Sequence, residues 1–153
     1  MRILILLVLL LGGCGIKKPP VSQGIVFVFK TPQVRFSGTG FLYRSHDVAL
    51  EGYGGGDGVF RLTLSDRVCI NGRCMDFEEF NRRFLSPCYP DDLLKRVLLA
   101  RPLSEDGLKK TKDGFVQRLR SGCFDIVYSI SGSKILFKDH KNHIFIKVRS
   151  VDG

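Results

Sequence analysis

The sequence predicts an α+β domain, in which a strongly curved antiparallel sheet carries two central helices packed on its concave face. Three patterns lead to this prediction. Most of the chain alternates apolar and polar residues with a period of two, as at Phe60, Leu62 and Leu64, which is typical of half-buried strands. The period changes to that of a helix only between residues 76 and 102. The predicted strands are joined by short turns, which favours antiparallel neighbours.

The first half of the domain is predicted to consist of strands. Residues 25–29 are uniformly β-branched or aromatic, which favours a buried strand that is interrupted at Pro32. Further extended segments are predicted at residues 33–36, 39–43, 48–53 and 60–65. Ser37-Gly38 separates the first two of these. The glycine-rich residues 54–58 lack a following Lys-Ser or Lys-Thr, so they predict a flexible connection and not a phosphate-binding loop.

Two helices are predicted in the middle of the chain. The first begins at Asp76, because Asp76 and Glu79 have the spacing of a capping box. Its apolar face consists of Phe77, Phe80 and Phe84. The second begins near Pro90, where the missing N–H costs nothing, and ends before Pro102. Its apolar stripe consists of Leu93, Leu94, Val97 and Leu98.

The last third of the chain returns to a period of two. Strands are predicted at residues 115–119, 124–129, 134–138 and 144–148. Turns at residues 131–133 and 139–142 are short enough to join antiparallel neighbours, so the sequence predicts a meander here.

The first fifteen residues are typical of a secretory signal. Arg2 gives a cationic start, and the apolar run at residues 3–11 is too short to span a membrane. Residues 11–15 read Leu-Gly-Gly-Cys-Gly and resemble the bacterial lipobox, in which the cysteine is acylated and the chain is cut before it. An ordinary signal peptide with an incidental cysteine is the alternative. The predicted organisation is a signal peptide at residues 1–13, the lipidated Cys14 with a tether at residues 14–23, and one domain at residues 24–153.

Four cysteines besides Cys14 are expected to meet an oxidising compartment, where disulfides form. Asn71-Gly72 predicts a type I′ hairpin turn, which places Cys69 opposite Cys74 in a non-hydrogen-bonded pair. Cys88 and Cys123 then pair by elimination. Zinc is the competing interpretation, but the spacing Cys-x4-Cys across a tight turn is a poor match to common zinc sites.

The chain is basic, with a formal net charge of +9. Excess positive charge suits an anionic neighbour such as phospholipid headgroups, lipopolysaccharide phosphates or nucleic acid, and predicted export argues against nucleic acid. A solvated surface that merely favours solubility is the alternative interpretation.

The sequence predicts no catalytic residue, metal site or cofactor. His46, His140 and His143 fall in predicted turns, and Asp91-Asp92 is explained by a helix start. No nucleophile has a base beside it, so the chain is not expected to be an enzyme.

Twelve phenylalanines and no tryptophan indicate an unusually aromatic interior. Most are expected to fill the core, and the rest can line an apolar pocket between the helices and the bent sheet. The candidate lining residues are Phe27, Phe29, Phe36, Phe41, Leu62, Leu64, Leu94, Val97 and Leu98.

The order of elements resembles the LolA/LolB lipoprotein-carrier superfamily: a lipobox, a tether, antiparallel strands, two helices and further strands. Residues 89–102 resemble the Pro-x-x-x-Leu…Ile-Leu…Pro helix of LolB, and the strands at residues 124–128 and 144–148 run as they do there. The overall character is similar to small lipoproteins of the Campylobacter and Helicobacter group.

This resemblance implies a half-open β-barrel with a helical lid, anchored in the outer membrane and facing the periplasm. It implies a monomer that binds the acyl chains of other lipoproteins, delivered by a periplasmic LolA-like carrier. Gly15 agrees with this location, since Asp after the acylated cysteine usually marks retention at the inner membrane. An envelope scaffold that acts by protein contacts and holds no lipid is the alternative, and a periplasmic hydrolase is a third.

Overall fold

The computed structural model describes residues 21–54 and 59–152, which form one antiparallel sheet with two short helices. The strands before the helices are β1 (Val21–Lys30), β2 (Arg35–Arg44), β3 (Val48–Tyr53), β4 (Val59–Leu64), β5 (Val68–Ile70) and β6 (Arg73–Met75). The helices are α1 (Phe77–Phe84) and α2 (Leu93–Leu98). The strands after them are β7 (Leu108–Thr111), β8 (Gly114–Arg120), β9 (Asp125–Ser131), β10 (Lys134–Asp139) and β11 (Ile144–Ser150).

The sheet consists of two antiparallel meanders that meet where β1 pairs with β11. Its eleven strands lie in the order β6-β5-β4-β3-β2-β1-β11-β10-β9-β8-β7, so the sheet is not closed and β6 and β7 are its edges. The predicted antiparallel sheet is confirmed. Because both helices lie between β6 and β7 in the chain, residues 76–107 connect one edge of the sheet to the other.

One face of the sheet carries the hydrophobic core. Buried and less buried residues alternate along the strands, as on β11, where Ile144, Ile146 and Val148 are each about 1% exposed. The buried apolar side chains of all the longer strands and of α2 belong to one cluster. Every described strand, helix and core residue lies between residues 21 and 152, so a chain that begins at Gly15 retains all of them.

Local sequence signals account for the hairpin and for α1. Asn71 and Gly72 have φ of 48° and 83°, as a type I′ turn requires, and Cys69 lies opposite Cys74. Asp76 is the N-cap of α1, and its Oδ1 accepts a hydrogen bond from the Glu79 N–H at 2.7 Å. These two predictions are confirmed.

Both predicted disulfides are present. Cys69 is bonded to Cys74 with their Cα atoms 4.0 Å apart, and Cys88 is bonded to Cys123 with theirs 6.2 Å apart. The second bond fastens the connection between α1 and α2 to the turn before β9, thirty-five residues along the chain. It therefore restrains the helical segment against the sheet.

The predicted pair of central helices on the concave face is not supported. The α1 helix has eight residues and lines a cavity at the edge of the sheet with the β5–β6 hairpin, through Glu79, Arg83 and Phe84. The α2 helix has only six residues, because the backbone turns into the left-handed region at Ala100, before Pro102 is reached. Its four apolar residues are nevertheless all buried, as its stripe predicts.

Two strand boundaries differ from the predictions. Residues 33–43 are not two segments, since β2 runs unbroken through Ser37 and Gly38. In addition, β1 begins at Val21, so residues 21–23, which the sequence assigns to the tether, pair with β2. The strand β7, at the sheet edge, has no counterpart among the predicted elements. The signal peptide, Cys14, the tether up to residue 20 and residues 55–58 lie outside the described residues.

Glycine in β2 marks close packing and not a break. Gly40 is buried opposite Gly52 of β3, and a Cβ atom at Gly40 would collide with the backbone oxygen of Glu51. The missing side chain therefore allows the two strands to approach.

We expect Gly40→Ala to lower the free energy of unfolding by about 3 kcal/mol, because the β2–β3 backbone must shift to admit the methyl group. Urea unfolding measures this change. Gly122→Ala is the control, since a Cβ atom there meets nothing within 4 Å. Equal free energies of unfolding for the two variants would show that the β2–β3 backbone accommodates a methyl group at Gly40 without destabilisation.

Candidate functional site

The nine candidate lining residues are divided between the two faces of the sheet. Eight of them belong to or pack against the single buried cluster: Phe27, Phe29, Phe36, Leu62, Leu64, Leu94, Val97 and Leu98. Phe41 lies on the outer face and is 42% exposed, so it does not line this interior. Because β2 is one continuous strand, Phe36 and Leu42 point to one face and Phe41 necessarily points to the other.

The described core is filled by the side chains of the protein. The rings of Phe36 and Phe60 stack with centroids 4.9 Å apart, and the Phe27 ring lies 5.5 Å from Phe36. Leu62 and Val97 are 0% exposed. A void wide enough for an acyl chain would leave its walls accessible to water, so the candidate lining residues of the described chain enclose no open cavity in this conformation.

Polar side chains of the sheet hold the end of α2. The Arg44 Nε donates to the backbone oxygen of Leu98 at 2.8 Å, and its Nη1 donates to Gln23 Oε1 at 3.0 Å. The Tyr128 hydroxyl, on β9, donates to the backbone oxygen of Val97 at 3.3 Å. Both backbone oxygens lie at the C-terminal end of α2, where a cation is favourable. The Val97 oxygen also accepts from the Ala100 N–H at 3.1 Å. Strands on both sides of the sheet centre therefore converge on one helix end.

Burial changes the proton affinity of the Arg44 and Tyr128 side chains. Desolvation lowers the pKa of the Arg44 guanidinium from its ordinary value. Desolvation also raises the pKa of the Tyr128 hydroxyl well above its ordinary value. No carboxylate forms a salt bridge with Arg44 within the described residues, so backbone and amide oxygens alone hold its charge.

The segment that precedes α2 is fastened by a buried carboxylate. Asp139, at the end of β10, is 1% exposed and accepts hydrogen bonds from the Tyr89 hydroxyl and from Asn142 Nδ2. Its other oxygen accepts from the backbone N–H groups of Asp125 at 3.1 Å and Lys141 at 3.0 Å. Burial raises the pKa of this carboxyl, but these hydrogen bonds outweigh burial and leave the pKa below its ordinary value.

The segment that follows α2 is fastened by a buried amide. Gln117 of β8 is 0% exposed. Its Oε1 accepts from the Leu103 N–H at 2.9 Å, and its Nε2 donates to the backbone oxygens of Ser104 and Asp106. The flanks of α2 are therefore held by buried polar networks and a disulfide, whereas α2 itself is held by apolar contacts and two hydrogen bonds.

These polar residues are not among the sequence predictions, although a signal for them exists. Arg44, Gln117 and Asp139 each occupy a position that the period of two assigns to the buried face, next to Leu42, Phe115 and Phe137. A polar residue at such a position needs a specific partner. The partner itself lies far away in the chain and cannot be read from the pattern.

The outer face carries an aromatic patch, which we define as the exposed Phe41 and Tyr53 and the half-buried Tyr43. The Phe41 ring lies 6.3 Å from Tyr43 and 6.4 Å from Tyr53. Beside it, the Arg61 guanidinium forms a salt bridge of 2.6 Å with Glu51.

His140 and His143 are exposed, as their turn positions predict. Within residues 21–54 and 59–152, no cluster of His, Cys, Asp and Glu is arranged to hold a metal ion.

No protein-family model matches the chain, and a search of curated proteins found no similar sequence. None of the described helices is long and apolar enough to cross a bilayer.

Proposed function

We propose that the domain binds acyl chains between its sheet and α2, and that α2 is a movable cover. In this proposal the protein is an outer-membrane lipoprotein of the LolA/LolB type, held by an acylated Cys14 and supplied with lipoproteins by a periplasmic carrier. The contact that carries the proposal is the hydrogen bond from Arg44 to the backbone of Leu98 at 2.8 Å.

This contact is suited to a reversible closure. A hydrogen bond from a charged donor contributes about 1.5–3 kcal/mol, and both the guanidinium and the carbonyl can be hydrated when α2 moves away. The flanks of α2 stay in place while α2 moves, because they are held by the polar networks around Asp139 and Gln117 and by the disulfide at Cys88. The cover can then move without unfolding the sheet.

The free energy gained by burying an acyl chain is large enough to open the interior. Each CH₂ group removed from water contributes about 0.8 kcal/mol, so a single chain offsets the loss of two hydrogen bonds and part of the α2 packing. The surface exposed by moving Leu94, Val97 and Leu98 is apolar and matches the chemistry of that chain.

We expect Arg44→Met to increase binding of a fluorescent fatty acid at least ten-fold, because the closed state loses about 1.5 kcal/mol or more and the open population rises by the corresponding factor. Fluorescence titration measures this. Arg61→Met is the matched control, since Arg61 pairs with Glu51 on the outer face. Its affinity is expected to equal that of the unchanged protein.

A scaffold that acts by protein contacts and holds no lipid is the second candidate. The complete burial of Leu62 and Val97 favours it, since ligand pockets are usually preformed. It predicts that neither Arg44→Met nor the unchanged protein binds the fatty acid, and that mass spectrometry of the purified protein finds no acylated species. That result would reject the carrier.

A further inference from the structure

The outer face of the sheet has a strong excess of positive charge. Side chains directly opposite each other on neighbouring strands share a face, so the register places basic residues in lateral rows. One row runs from Arg35 through Lys30, Phe145 and Lys138 to Val127 and Arg118. The next contains Lys147 between Val28 and Leu136. We call the outward residues the basic face: Lys30, Arg35, Lys109, Arg118, Lys134, Lys138, Lys147 and Arg149.

Negative charge on this face is already compensated. The outward-pointing carboxylates of the described strands are Glu51 and Asp125. Glu51 pairs with Arg61, and the Asp125 Oδ1 lies 3.2 Å from the Arg120 Nε. On the described strands, ten outward basic residues therefore outnumber two outward carboxylates, and this face carries a large excess of positive charge. A large field of one sign of this kind attracts an extended anionic partner.

The basic face continues into the aromatic patch. Along one lateral row, Arg149 lies opposite Val26, which is 36% exposed, and Val26 lies opposite Thr39, which pairs with Tyr53. Phe41 and Tyr53 are 42% and 46% exposed, although large apolar rings are usually buried. Exposed rings beside lysine and arginine match the boundary between headgroups and acyl chains, where aromatic side chains are enriched.

One end of the basic face carries a pocket whose donors suit a phosphate. A cavity of about 190 Å³ is lined by Lys30, Lys138, His140 and His143 around Phe145. Asp139 also lines it, but its carboxylate oxygens already accept five hydrogen bonds within the protein. The donors that remain suit an anionic headgroup.

The N-terminal end of the described chain lies beside the same surface. Ser22 of β1 is opposite Tyr43, so the chain enters the sheet next to the aromatic patch. The seven residues from Cys14 to Pro20 reach at most about 25 Å when fully extended. An acyl anchor at Cys14 would therefore hold this face close to the bilayer.

We infer that the outer face, through its basic face and aromatic patch, docks on a bilayer of anionic phospholipids. The buried face and α2 then point away from the membrane surface, toward the aqueous side. This inference does not depend on acyl uptake by the interior, and a chain without the anchor tests it separately.

Flotation with vesicles provides the test. The protein beginning at Gly15, first shown to be folded by circular dichroism, is expected to bind vesicles of phosphatidylglycerol and phosphatidylethanolamine and not vesicles of phosphatidylcholine. Each lysine near an anionic surface raises partitioning roughly five-fold, so Lys138→Gln with Lys147→Gln is expected to weaken binding about 25-fold. Raising the salt to about 0.5 M is expected to abolish it.

A second double substitution distinguishes docking through the basic face from an effect of the net charge of the protein. Arg82→Gln with Arg101→Gln removes the same charge from exposed positions outside the sheet and is expected to change binding less than about three-fold. Phe41→Ser is expected to weaken binding several-fold, with the fold kept because the ring is exposed. Absence of vesicle binding, equal losses in the two charge pairs, or equal binding to phosphatidylcholine would each overturn the inference.

Discussion

Cys14→Ala is expected to transfer essentially all of the protein from the membrane fraction to the soluble fraction in a salt wash. If Cys14 is acylated, each buried CH₂ contributes about 0.8 kcal/mol, so the many CH₂ groups of its acyl chains together contribute more than the exposed lysines, at about 1 kcal/mol each, contribute to an anionic surface. The wash at about 0.5 M salt removes the contribution of the basic face, so the anchor alone decides the result. Ultracentrifugation of exporting cells, with immunoblotting of both fractions, measures the distribution.

Gly15→Asp is the matched control for the anchor. The lipobox resemblance implies that this variant remains acylated and membrane-bound but stays at the inner membrane, so density-gradient separation distinguishes it from the unchanged protein. Membrane association of Cys14→Ala that survives the wash would contradict lipidation and leave an ordinary signal peptide. Loss of both variants from membranes would contradict the assignment of the anchor to Cys14.

Asp139→Ala is expected to destabilise the domain by about 4 kcal/mol. The variant leaves the Tyr89 hydroxyl, the Asn142 amide and the backbone N–H groups of Asp125 and Lys141 without their acceptor in a buried site. It also releases the segment before α2 from the sheet. Urea unfolding measures the loss, and Asp66→Ala, at an exposed position, is expected to change stability by less than about 0.5 kcal/mol.

The same carboxylate predicts an acid-dependent stability. Its folded pKa lies below the ordinary value of 3.8, so the stabilisation is present above pH 3.8 and is lost as the pH falls through the folded pKa. The free energy of unfolding of the unchanged protein is therefore expected to fall more steeply below pH 3.8 than that of Asp139→Asn. Parallel curves for the two proteins would show that Asp139 does not titrate in this range.

Much of the fold follows from short-range patterns. The turn at Asn71-Gly72 and the cap at Asp76 depend on residues within a few positions, and the strands of the last third follow their period of two. The incorrect predictions occur where packing between residues distant in the sequence overrides the local signal. Ser37-Gly38 indicates a break in isolation, but in the sheet Gly38 allows β3 to approach β2, since a Cβ atom there would collide with the backbone oxygen of Tyr53.

The candidate site was predicted in its apolar part only. Leu94, Val97 and Leu98 follow from the helical stripe, whereas Phe41 was assigned to the wrong face because the continuity of β2 was not recognised. Arg44 was missed, since its acceptor at Leu98 is fifty-four residues away. Such contacts depend on the order of the strands, which no local spacing reveals.

By itself, the sequence determined which residues are apolar, where strands and turns alternate, how the hairpin places Cys69 opposite Cys74, and that positive charge is in excess. Only the tertiary structure decided that the interior is filled, that Arg44 and Tyr128 hold the end of α2, and that the excess charge gathers on one face. The physical reason is that period and turn chemistry act over a few residues. Core packing and the total charge of a sheet face instead depend on which strands become neighbours. The pairing of β1 with β11, for example, joins opposite ends of the described chain.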